Sequence, residues 1–192
     1  AVTYAESILT TADGLQLFAQ VWHAATPKAT VALIHGIAEH SSRYRHVGEY
    51  LAGCGYTVYT FDLRGHGRSP GRRSLVRQMR EYTDDVGAFL TWVRTMAPDL
   101  PLFLLGHSMG GLIVSYYVLS QTPDLPIDLQ GVVLSAPAVK LNNVSPLLIA
   151  VGRVLARLLP ALPMRAIEFA AISRDPLVIE LSAKDQLTHH GG

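Results

Sequence analysis

A run of apolar residues at 102–105 passes directly into Gly106-His107-Ser108-Met109-Gly110-Gly111 and from there into a helical stretch at 112–121. No other feature restricts the fold so far. Glycine-x-serine-x-glycine between a strand and a helix calls for a tight turn that lifts the serine above the strand ends. Glycine on either side has no Cβ to clash in such a turn. Ser108 is therefore the candidate nucleophile, with Gly106, His107 and Gly110 shaping the turn around it. Met109 opens the helix, so its N–H points to where a tetrahedral oxyanion would form. The plainer alternative is an ordinary strand-to-helix turn whose serine only caps the helix.

Strand-like and helix-like segments alternate from residue 30 onward, the pattern of parallel βαβ units. The opening differs: residues 3–10 and 15–23 flank Asp13-Gly14, which reads as an antiparallel hairpin. Residues 30–34 form a short apolar strand ending at His35-Gly36. The next helix has Ser41 or Ser42 as its cap, Tyr44, Val47 and Leu51 at helical spacing, and Gly53 and Gly55 as its stop. A strand at 56–61 leads to a loop at 64–76. The following helix carries Asp84 and Asp85 in or near its first turn, with Val86, Phe89, Leu90 and Val93 on one face. A further strand spans 129–134.

The expected fold is thus α/β, a mostly parallel sheet with helices on both faces, incomplete in this chain. The expected division is a core over 1–142, an inserted cap or lid over 143–185, and a return toward the rest of the core over 186–192. The insert rests on 144–164, where Leu, Ala, Val and Pro dominate and Arg153 and Arg157 share one helical face. This stretch reads equally as a surface-active lid and as a core helix. Pro146, Pro160 and Pro163 make it too short to span a bilayer.

Composition removes several function classes. With 192 residues, 49% of them hydrophobic, the chain has enough apolar material for one core, and a net charge of +1 lacks the basic footprint of a nucleic-acid binder. Cys54, the sole cysteine, excludes an internal disulfide and argues against a thiolate zinc site. His35 and His40 stand five apart, which does not stack them on a helix face as a zinc motif requires. Gly65-His66-Gly67-Arg68-Ser69-Pro70 fails as a dinucleotide fingerprint, because Pro70 stands where a glycine should open a helix. No cofactor and no metal are called for. The six arginines between Arg64 and Arg80 read as a solvated loop, or as a contact for lipid headgroups. The N-terminus has no basic start followed by an apolar stretch, so no secretory signal is visible, and a cytoplasmic or peripheral membrane location is expected. The chain opens on Ala1 rather than Met, as if something upstream had been removed.

His35-Gly36-Ile37 closes its strand at the same carboxyl edge of the sheet as the serine turn, which makes Ile37 N–H a candidate second oxyanion donor. His35, just before that loop, suits a structural hydrogen-bonding role better than that of a catalytic base. Taken together, His35-Gly36-Ile37-Ala38-Glu39-His40 with Arg43-Tyr44, Asp62-Leu63-Arg64-Gly65-His66-Gly67-Arg68-Ser69, and Gly106 to Gly111 resemble the monoacylglycerol lipase and lysophospholipase group of α/β-hydrolases. The resemblance runs from about residue 8 to the end of the chain, with all three motifs in the expected order and spacing. It implies a serine esterase or lipase acting on a glycerol that carries one acyl chain. Ser108 would be the nucleophile, with the N–H groups of Ile37 and Met109 as oxyanion hole and the lid as a peripheral lipid contact. A lysophospholipase, thioesterase or serine peptidase on the same fold stays open, as does a non-catalytic lipid-binding fragment.

The family order places an acid and then a histidine on two strands after the serine. After Ser108 the aspartates are Asp124, Asp128, Asp175 and Asp185, and the histidines are His189 and His190. Asp124 and Asp128 fall toward the amino end of the next strand, on the wrong side of the sheet. Asp185 lies too close to His189 and His190 to occupy a different strand end. The expectation is that a C-terminal segment or a partner chain pairs with the 129–134 strand and brings the acid and histidine.

Overall fold

The chain opens with the hairpin that Asp13-Gly14 predicts. In the computed structural model, which describes residues 1–74, 76–121, 127–139 and 173–188, β1 (Thr3–Thr10) pairs antiparallel with β2 (Gln16–His23). Gly14 takes a positive φ of 83° and donates its N–H to Thr11 O at 3.0 Å, closing the turn. β3 (Ala29–Ile34), β4 (Tyr56–Phe61), β5 (Leu102–His107) and β6 (Gly131–Ser135) join them in one sheet of order β1-β2-β4-β3-β5-β6. β2 meets β4 antiparallel, while β4, β3, β5 and β6 run parallel.

β3 is buried along its whole length, as a parallel strand covered on both faces should be. The period of two divides the side chains between the faces. Ala32 and Ile34 join Tyr59, Phe61 and Leu104 on one face, and Val31 and Leu33 join Trp22 and Val58 on the other. Helices α2 (Met79–Met96) and α3 (Met109–Gln121) cover the first face, chiefly through Phe89, Leu90, Val93, Ile113 and Tyr117. α1 (Arg45–Gly53) covers the second through Val47, Leu51 and Ala52. The fully buried large side chains among them, such as Phe89, Leu90 and Ile113, each stabilise by about 1.5–3 kcal/mol relative to their exposure. The register that sets Ile34 beside Gly106 and His107 beside Ser135 brings the carboxyl ends of β3, β5 and β6 to one edge of the sheet.

The α/β sheet with helices on both faces is the expected class, and local details differ. Ser41 and Ser42 do not cap α1: they lie inside a 3₁₀ turn (Ser41–Tyr44) that precedes it, because buried Asp62 takes both the N–H and the hydroxyl of Ser41. Asp84 and Asp85 are not in the first turn of α2. The helix starts earlier, at Met79, where the Glu81 carboxylate accepts the N–H groups of Arg77 and Gln78. The arginine stretch is not wholly solvated. Arg64 is buried and bonds Asp85 through Nε at 2.6 Å and Nη2 at 2.5 Å, with Asp13 and Glu81 at its rim. β6 begins two residues later than expected and ends one later, and Val132, Val133 and Leu134 on it are exposed. A last helix, α4 (Pro176–Lys184), is capped by Asp175, whose carboxylate accepts Leu177 N–H at 2.9 Å. The 144–164 insert, Asp124, His189 and His190 lie outside the described residues. No helix among the described residues is long and apolar enough to cross a membrane.

Candidate active site

Ser108 sits between the end of β5 and the start of α3 with φ +52°. A non-glycine residue in this left-handed region costs about 1–3 kcal/mol and persists only where its surroundings impose it. Three hydrogen bonds impose it here. Ser108 N–H donates to Ser135 O at the end of β6 at 2.9 Å, and Ser108 O accepts Leu112 N–H at 3.1 Å and Ala138 N–H at 3.0 Å. The flanking glycines are required by close approach. A Cβ on Gly106 would stand 2.5 Å from Gly110 O, and one on Gly110 would collide with the carbonyl oxygens of Ile34 and His35. The start of α3 therefore lies directly on the end of β3.

That contact delivers the 35–40 loop to the serine. A Cβ on Gly36 would lie 3.2 Å from Ser108 Cβ, so the absence of a side chain at position 36 lets the loop pack closely on the serine. Among the described residues no hydrogen bond uses the N–H of Ile37 or of Met109. Met109 is the first residue of α3, where an N–H has no acceptor within the helix and the helix dipole favours negative charge. The loop itself is clamped from below. Glu39 Oε1 accepts Gly36 N–H and the Tyr44 hydroxyl, both at 2.6 Å, and Arg43 Nε lies 3.4 Å from Oε2. Burial, and then the Glu39 charge, push the Tyr44 phenol above its ordinary range, so Tyr44 stays a donor. Ala38 takes φ +60° within this clamp.

Both ring nitrogens of His35 are engaged away from the serine: Nε2 accepts Leu63 N–H at 3.0 Å and Nδ1 faces Gly36 O at 2.7 Å. That pairing puts the proton on Nδ1. Complete burial lowers the tendency of the ring to take up a second proton. His107 Nδ1 stands 3.0 Å from Ser135 Oγ and ties β5 to β6 beside the turn. Asp62 is the organiser that motif reading leaves without a role. Wholly buried, its carboxylate accepts Ser41 N–H at 2.7 Å, the Ser41 hydroxyl at 2.5 Å and Arg68 N–H at 2.8 Å, joining the 35–41 loop to the 62–69 loop. Its sequence signal is an aspartate ending a buried strand just before a glycine-rich loop.

Among the described residues, neither a histidine nor a carboxylate hydrogen-bonds Ser108 Oγ. Asp128 and Asp175 serve elsewhere, the first through its backbone oxygen with Arg94 at 2.7 Å and the second as the α4 cap. Asp185 instead accepts His40 Nε2 at 2.7 Å. No group of three or more His, Cys, Asp or Glu among the described residues is placed to hold a metal ion.

The mostly parallel sheet, the strained serine between strand and helix, and the loop laid against it define an α/β-hydrolase. The chain belongs to the serine aminopeptidase S33 family, which it matches over residues 25–192. It is 40% identical over 180 residues to a monoacylglycerol lipase of Mycolicibacterium smegmatis, covering 93% of this chain and 63% of that protein. It is 34% identical over 187 residues to a monoglyceride lipase of Mus musculus, covering 96% of this chain and 60% of that protein. The crystal structure of a Paleococcus ferrophilus monoacylglycerol lipase superposes with a TM-score of 0.74 at 33% identity, covering 91% of this chain and 65% of that one. The chain thus spans 60–63% of the length of these two curated relatives.

Proposed function

We propose that the whole protein hydrolyses carboxylic esters of acylglycerols, with a monoacylglycerol as substrate and an acyl-enzyme on Ser108 as intermediate. The observation that carries this reading is Ser108 held at φ +52° directly against Gly36. Ser108 Oγ attacks the ester carbonyl carbon while its proton passes to a histidine. The N–H groups of Ile37 and Met109 hold the resulting oxyanion, and the glycerol alcohol departs with the proton. Water then hydrolyses the acyl-enzyme by the same steps and frees the serine. Loss of one such oxyanion donor costs about 10²–10³ in turnover.

The acid and the histidine come from a C-terminal segment or a partner chain that lies beside β6. The exposed side chains of Val132, Val133 and Leu134 on that strand favour this. The 143–185 stretch acts as a lid on the 1–142 core, supplying the acyl pocket and a peripheral contact with lipid, and 186–192 returns toward the core. Replacing Leu148 and Leu155 with Asp should cut hydrolysis of long-chain esters far more than of short ones, and equal losses would assign that stretch to the core. The direct test is turnover by the full-length protein of a long-chain monoacylglycerol, a lysophospholipid and an aminoacyl amide. Ser108-dependent turnover of the monoacylglycerol above the other two is expected. Preference for the amide would move the function to peptide hydrolysis.

A further inference from the structure

Two groups from opposite ends of the described chain meet beside the loop that carries Ile37. His40, its side chain 6% exposed, donates Nε2–H to Asp185 Oδ2 at 2.7 Å across 145 residues of sequence. Asp185 ends α4 and is itself held in place: Oδ1 accepts Leu187 N–H and Oδ2 accepts the Thr188 hydroxyl, both at 3.0 Å. Burial opposes charge on this carboxyl, but the bond from His40 first, and those from Leu187 and Thr188 with it, keep its pKa below the ordinary aspartate value. An ionised carboxylate only accepts, so Nε2 carries the ring proton.

On the other side of His40 lies the backbone that positions Ile37. The Glu39 carboxylate pins it under Gly36 N–H, and the Asp62 carboxylate pins it under Ser41 N–H. Between them Ala38 holds φ +60°, a conformation that relaxes unless its neighbours enforce it. Of these three anchors, only Asp185 comes from outside the first 70 residues. Gln186, Leu187 and Thr188, which follow it, line one small cleft together with Ala38, Glu39 and Gly67.

We propose that Asp185 is a positioning residue. Through His40 it holds the 36–41 loop in the conformation that aims Ile37 N–H at Ser108, so that seating the 173–188 segment and forming the oxyanion hole are a single event. This rests on the reading of Ser108 given above. Asp185 touches no reacting atom.

The test uses the full-length protein with Asp185→Asn, His40→Gln and the double variant, assayed on a soluble short-chain ester. Each single variant is expected to lose about tenfold in kcat with KM unchanged, and the double variant to lose no more than either, because one bond carries the effect. Amide exchange should rise in residues 36–44 of Asp185→Asn while β3 and β5 keep their protection. In the wild type, nitrogen NMR of the His40 ring should show the proton on Nε2, a reading that needs no variant to fold. Wild-type kcat and exchange in Asp185→Asn, additive losses in the double variant, or a proton on Nδ1 would overturn the proposal. If Ser108→Ala left turnover intact, the nucleophile assignment would fall, while exchange and the ring proton would still decide the role of Asp185.

Discussion

Alanine at position 36 would put a methyl group where the loop meets the serine. An ideal Cβ there lies 2.9 Å from Glu39 Oε1, 3.2 Å from Ser108 Cβ and 3.5 Å from His107 O. Gly36 does not have a positive φ, so the strain is one of contact and not of torsion. The Glu39 carboxylate, at the end of a side chain, yields first and gives up its 2.6 Å bonds from Gly36 N–H and the Tyr44 hydroxyl. Hydrogen bonds to a charged group contribute about 1.5–3 kcal/mol each when buried. Glu39 is 18% exposed, so water recovers part of this, and the net loss of stability should be about 1–2 kcal/mol. Ser108 cannot retreat, because its N–H and its carbonyl are bound to Ser135, Leu112 and Ala138. The loop therefore moves by a few tenths of an ångström and takes Ile37 N–H with it, which should lower kcat about 10- to 100-fold. Steady-state kinetics on a short-chain ester, with a urea melt alongside, measure both quantities in the full-length protein. A Gly36→Ala enzyme with wild-type kcat, or with its whole loss in KM, would refute the placement of the loop against the serine.

Gly110→Ala should behave differently, because its Cβ meets the main-chain oxygens of Ile34 and His35 and these cannot swing aside. A stability loss of about 3 kcal/mol or more is expected in urea, and a melt near that of the wild type would contradict the packing of α3 on β3. Asp85→Ala strips buried Arg64 of its bonds at 2.6 Å and 2.5 Å and leaves it only Asp13 and Glu81 at the rim, which should cost about 3 kcal/mol. An unchanged urea midpoint would show that Arg64 is solvated after all. Asp185 titrates below its unfolded value, so the stability it adds is full above the ordinary aspartate pKa and fades as pH falls through the lower folded one. The advantage of the wild type over Asp185→Asn should therefore hold at about pH 5 and shrink as pH falls below the ordinary aspartate pKa of about 3.9. An advantage that grows over that interval would contradict the depressed carboxyl.

What could be read in the sequence was what short spacings encode. Asp13-Gly14 marks its own turn, apolar runs mark β3, β4 and β5, and the glycines around Ser108 mark a place where backbones touch. The errors lie where a distant group outcompetes a local preference. Ser41 and Ser42 have the chemistry of helix caps, but Asp62, buried 21 residues away, takes Ser41 instead. Asp85 has the charge of a first-turn residue, yet it serves as the buried partner of Arg64. The crossover that sets β4 between β2 and β3 also lay beyond any local signal. The His40–Asp185 contact spans 145 residues, and neither residue carries a local mark of the other.

Covalent capture of the serine tests the proposed chemistry most directly. The full-length protein is treated with a fluorophosphonate and the adduct is mapped by peptide mass spectrometry. The expected result is a single adduct on Ser108 that is absent from Ser108→Ala, with ester turnover lost in proportion to labelling. An adduct on another residue, or labelling and turnover that persist in Ser108→Ala, would contradict Ser108 as the nucleophile.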